Sequence, residues 1–112
     1  MARFMVIYRS TTSARDAMAN TTPEQMKAGM GAWMDWAARA GDAIIDLGSP
    51  LALATRLGPG SSTAGGDDIS GYSLLQAASA PDLADVLAGH PHLSVPGNSI
   101  DILEMLTMPG MG

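Results

Sequence analysis

The only two histidines of this 112-residue chain stand two apart, in His90-Pro91-His92. Imidazole changes charge near neutral pH, so the pair could do general acid–base work or anchor a ligand. Joined by a carboxylate such as Asp46, Asp101 or Glu104, it could instead hold a metal ion. A structural role stands beside both. His90 follows a helix, where it can bond the last carbonyls and complement the helix dipole. Proline favours extended backbone in the residue before it, which leaves open whether the two rings share a side. Asp46 lies within the apolar run AIIDL. A carboxylate there must reach water or a partner, because unpaired burial costs several kcal/mol (on the order of 2–7 for a polar group). Asp101 and Glu104 are three apart, so a regular strand points them to opposite faces. His92, His90 and Asp46 are therefore the catalytic candidates, with Tyr8 and Arg9 as ligand-binding candidates. No resident metal or cofactor is expected.

Composition narrows the classes. Hydrophobic residues make up 46% and charged residues 15%, the balance of an ordered chain. Net charge is −5 without a basic cluster, which argues against nucleic acid or an anionic membrane surface as partner. No cysteine is present, so disulfides and thiolate chemistry are excluded. No stretch approaches the length of a membrane span, and the default location is the cytoplasm. One domain over 1–112 is expected, with a core over 3–108 and a tail over 109–112.

These candidates need elements to position them. Arg3–Tyr8 reads as a strand apolar on both sides, hence central in its sheet. Arg9–Thr21 is a polar connection with one helical turn around Ala14–Met18. Thr21–Gly41 is a long amphipathic helix: Thr22 caps it, Pro23 suits its first position, Gln25 completes a capping box and Gly41 ends it. Met26, Met30, Trp33, Ala37 and Ala40 form its apolar arc, which places Trp33 in the core and Asp35 in water. Trp36 flanks that arc as a packing residue. A strand over Ala43–Leu47 is broken by Gly48-Ser49-Pro50, and Leu51–Leu57 continues it past a bulge. Gly58–Gly71 is a long loop without a phosphate-binding motif. Tyr72–Ala77 is the third strand. A second main helix spans Ala80–Ala88, with Ser79 and Asp82 at its start, and Ile100–Leu106 is the last strand.

The order β-α-β-β-α-β predicts an α+β, ferredoxin-like fold, a four-stranded antiparallel sheet with two helices on one face. The other face would carry Leu, Ile and Met into water, so a second copy of the chain is expected to cover it. The helix pattern PEQM…G…W…AG, the GSP break, the AGHPH ending and the last strand together resemble the YCII-related family. That resemblance implies a homodimeric α+β barrel with a pocket at the sheet. In some members a catalytic histidine lies in the first helix; here 22–40 contains none.

The topology gathers Tyr8-Arg9, the start of the long helix, the Gly58–Gly71 loop and His90-Pro91-His92 at one end. Such a mouth would be electropositive and suited to an anionic ligand, with Arg9–Thr21 and Gly58–Gly71 as lids. A small homodimeric protein binding a small organic molecule follows. It acts on that molecule as a lyase, isomerase or hydrolase, or else is a non-catalytic binding or interaction module with structural histidines.

Overall fold

The computed structural model describes residues 1–58 and 68–110. Strands β1 (Ala2–Arg9), β2 (Ile44–Pro50), β3 (Ile69–Ala77) and β4 (Ser99–Glu104) form one antiparallel sheet in the order β2-β3-β1-β4. Helices α1 (Ala14–Ala19), α2 (Pro23–Ala40) and α3 (Ala80–Leu87) join them. This is a ferredoxin-like arrangement with the two main helices on one face and β1 inside the sheet. The sheet is open, with β2 and β4 as free edges. The expected α+β barrel is therefore corrected: among the described residues no ladder joins β2 to β4, and the sheet is not closed.

Local chemistry explains the helices. The Thr22 hydroxyl accepts from the Gln25 amide at 3.1 Å, and the Gln25 side chain accepts from the Thr22 amide at 3.0 Å. Ser13 and Ser79 cap α1 and α3 in the same way, each accepting from the amide three residues on. On β1, Phe4, Val6 and Tyr8 turn into the core, while Met5 and Ile7 face the uncovered side. On β3, Ser73, Leu75 and Ala77, opposite Val6, Phe4 and Ala2, are buried.

Two expectations are corrected here. Trp36, not Trp33, is the most buried large side chain of α2, at 1% exposure; Trp33 packs against the core from its margin. Trp36 is anchored because its indole N–H donates to the Val86 carbonyl of α3 at 3.0 Å. Met26 and Met30 share the angular arc of Trp33 but remain 43% and 58% exposed. Angle alone does not bury a residue. Met30 borders a cavity instead of packed side chains.

The strand limits also differ. β2 runs through Gly48-Ser49-Pro50, with register shifts between Ile44 and Asp46 and between Asp46 and Ser49. Leu51–Leu57 is not a strand: the Leu51 amide donates to the Ser70 carbonyl at 3.0 Å, β3 begins at Ile69, and among the described residues the β2–β3 ladder does not continue past Pro50. β3 begins three residues before the expected Tyr72. β4 ends at Glu104 rather than Leu106. Most of the expected Gly58–Gly71 loop, including its proposed lid role, lies outside the described residues, as do 111–112 of the tail. Among the described residues, no helix is long and apolar enough to cross a membrane.

Candidate functional site

A cavity of about 280 Å³ opens where α2 meets the ends of β1 and β2 and the beginning of β3. Met30, Trp33 and Met34 of α2 form one wall. Leu47, Gly48, Ser49 and Pro50 form the opposite one, where the β2 bulge turns the chain. Ser70, Gly71 and Tyr72 form the floor, closed by Tyr8 and His92. The wall is mostly apolar and aromatic with a few hydroxyls, the composition of a small-molecule site.

Behind the cavity lies a cluster of five rings. Tyr8 stacks on His90 with centroids 5.1 Å apart and meets Trp33 and His92 edge-on at 5.0 and 5.3 Å. Trp33 and Trp36 meet the His90 ring at 4.5 and 4.4 Å. His90 is buried at 1% exposure. Its Nδ1 accepts from the His92 amide at 3.0 Å, so the neutral ring carries its proton on Nε2. Among the described residues Nε2 has no hydrogen-bond acceptor, and the indole rings are its neighbours. Burial, and secondarily the neighbouring His92, push its pKa down to about 4. The helix-ending bond comes from the His90 backbone amide, which donates to the Leu87 carbonyl at 3.0 Å, and not from the ring.

This arrangement gives a pH dependence with a definite sign. The folded pKa lies below the ordinary value near 6.5, so the unfolded chain takes the proton first. The His90 contribution to stability should be constant above about pH 6.5 and fall by about 3 kcal/mol as the pH drops toward 4. Urea midpoints measured across this window on the native chain and on His90→Leu check it. The difference between the two should slope only between those limits, and parallel curves would refute it.

His92 sits differently. Its Nε2 donates to the Arg9 carbonyl at 2.7 Å, and Asn98 approaches Nδ1 at 3.4 Å and bonds the His92 carbonyl at 3.2 Å. The ring thus lines the cavity with both nitrogens already facing protein atoms. Tyr8 is held by Ser73 at 2.8 Å, and burial raises its pKa against the opposing effect of that bond.

The remaining candidates lie elsewhere. Arg9 follows Tyr8 on β1, yet its guanidinium bonds Asp101 and Asp68, each at 2.6 Å, and these carboxylates raise its pKa further. Asp46 lies on the uncovered side, accepting from the Gly48 amide at 2.9 Å and from the Tyr72 hydroxyl at 3.4 Å. Asp101 and Glu104 pair with Ile7 and Phe4 and therefore occupy opposite faces. The structure brings His90, His92 and Tyr8 together and leaves Asp46 and the Arg9 charge outside. Among the described residues, no group of three His, Asp or Glu side chains could hold a metal. The start of α2, with its amides capped by Thr22 and Gln25, is not part of the cavity; the middle of the helix is.

Sequence reasoning missed Trp33, Met30, Met34 and the Leu47–Pro50 wall as cavity residues. The signal for the wall was present in the GSP break, since a bulge re-aims side chains. Comparison with protein-family models, with curated proteins and with solved structures gives no match, so the YCII-related membership implied by the resemblance is overturned and only the ferredoxin-like arrangement is retained.

Proposed function

We propose that this chain is a cytoplasmic protein that binds a small organic molecule in the cavity between α2 and the bulged end of β2. The observation that carries the reading is the wall itself: Trp33, Met30, Met34, Leu47 and Pro50 around a ring-sized space, closed by Tyr8 and His92. The geometry favours binding over turnover. His92 is the only histidine lining the cavity, and its Nε2 is engaged by the Arg9 carbonyl, while His90 is caged by aromatic rings. Asp46 belongs to the other face, so a His92–Asp46 acid–base pair has no support from distance. The Arg9 charge is neutralised by two carboxylates, which favours an apolar ligand over an anionic one.

Thermal-shift screening of small aromatic and aliphatic metabolites tests this reading. A binder present at about one hundred times its Kd should raise stability by about 2.7 kcal/mol. Met30→Trp narrows the mouth at a half-exposed position and should abolish the shift while leaving the unliganded melting temperature nearly unchanged. Shifts that persist in Met30→Trp place the ligand elsewhere and defeat the proposal.

A second copy of the chain is the proposed partner for the uncovered sheet face. Met5, Leu74 and Leu103 are in register across three strands there, beside Ile7 and Tyr72. Sedimentation at micromolar concentration should give twice the chain mass; a stable monomer rules out this partner.

A further inference from the structure

The two free edges of the sheet are not alike. β2 is blunted: it carries two register shifts, a Gly48 at φ +87, and Pro50, which has no amide to donate. β4 has none of these features. Its register with β1 runs from Ser99 to Glu104 without a shift, and it holds neither proline nor glycine. The Met105 amide donates to the Arg3 carbonyl at 2.9 Å. Bonding alternates along an antiparallel ladder, so Ser99, Asp101 and Leu103 also turn their backbone groups toward β1. The amides and carbonyls of Ile100, Ile102 and Glu104 therefore point away from β1. No strand lies beyond β4 among the described residues.

The side chains of this edge are self-complementary. On the uncovered face, Leu74, Met5 and Leu103 form a row across β3, β1 and β4. That row stops at the edge, with Leu103 51% exposed. Asp101, the acid of β4 on that face, is already bonded to Arg9 at 2.6 Å. The strand pattern of Ile100–Leu106 runs on past the end of β4, where Met105 and Leu106 are left exposed.

We infer that the β4 edge is a self-pairing surface, on which β4 of a second copy docks antiparallel about a two-fold axis at Leu103. In this register Leu103 meets the second copy's Leu103, Ile102 meets its Glu104, and Ile100 meets its Leu106. The outward backbone groups find partners and the apolar row doubles in length. No acid stands directly opposite an acid. Leu106, which lies past the end of the β1–β4 ladder, gains a strand partner. Each β4 occupies the other's edge, and the blunted β2 edges offer no continuation, so the pairing closes instead of running into a fibre. The edge is separate from the uncovered face, and this contact does not depend on the face contact proposed above.

Sedimentation of the full chain from micromolar to hundreds of micromolar tests the inference, with two variants that separate edge from face. Leu74→Lys places a charge within the uncovered face, on the inner strand β3, and leaves the edge intact. Glu104→Pro removes an outward amide at an exposed position and costs no bond to β1. Leu74→Lys should pass from one to two chain masses over this range, and the doubly substituted chain should remain at one. A Leu74→Lys chain that stays monomeric throughout, or a doubling that survives Glu104→Pro, overturns the inference. A Leu74→Lys dimer already complete at micromolar concentration, and abolished by Glu104→Pro, refutes the face contact and upholds the edge. Should either variant fail to fold, amide exchange on the native chain decides. Protection of the Ile102 and Glu104 amides should fall about tenfold or more on dilution while that of Asp101 and Leu103 holds. Equal protection at both concentrations overturns the inference.

Discussion

Gly48→Ala should prevent the chain from folding, or destabilise it by more than about 4 kcal/mol, at the extreme of single-substitution effects. Gly48 has φ +87, where an L side chain is strained, and it crosses the backbone of β3 at the β2 bulge. A Cβ there would stand 1.7 Å from the Tyr72 carbonyl oxygen and 2.6 Å from its carbon. Both are backbone atoms of the inner strand β3, so no rotamer change relieves the overlap. Only separation of β2 from β3 would, and it would also cost the Ser73–Leu47 bond and one wall of the cavity. Gly41→Ala separates strain from clash. That glycine also has positive φ, at 55, but a Cβ there meets nothing within 4 Å. Its replacement should destabilise by about 1–3 kcal/mol, from backbone strain alone. Denaturant unfolding of the two variants provides the comparison, and equal losses would show that backbone strain, not the close approach, is what Gly48 relieves.

Trp36→Ala should destabilise by about 3–5 kcal/mol. The indole is the largest fully buried side chain and its N–H ties α2 to the Val86 carbonyl of α3. Truncation empties the centre of the covered face and removes the last contact of His90 with that ring. Trp33→Ala should cost less, because Trp33 stands at the cavity margin, but it should weaken any ligand bound there. Asp35→Ala, at an exposed position between them, should change stability by less than about 1 kcal/mol. A larger loss for Trp33→Ala than for Trp36→Ala in chemical denaturation would mean that the helix is seated one step differently on the sheet.

Several features were legible in the residues alone because they depend on near neighbours in sequence. Thr22-Pro23 with Gln25, and Ser79 with Asp82, announce helix starts within four residues of themselves. The doubly apolar run Phe4–Tyr8 announces an inside strand, since each face of a pleat reads every second residue. From these the order of elements, the antiparallel sheet and the central place of β1 follow. The juxtaposition of Tyr8 with the His90-Pro91-His92 turn is a consequence of the same topology.

Other features were decided only by parts of the chain that meet in space. Helical periodicity fixes an angle about the axis of α2 but not what packs against each turn, so Met26 and Met30 stay exposed while Trp36 is buried. The pairing of Arg9 with Asp68 and Asp101, 59 and 92 residues away, removes from the cavity a charge that the sequence places beside it. Closure of a barrel depends on whether edge strands find partners, and no property of a single strand records that. The Ser73 and Ser70 hydroxyls are likewise held by the carbonyls of Leu47 and Tyr8, which can only accept and which come into place only when β1, β2 and β3 pair.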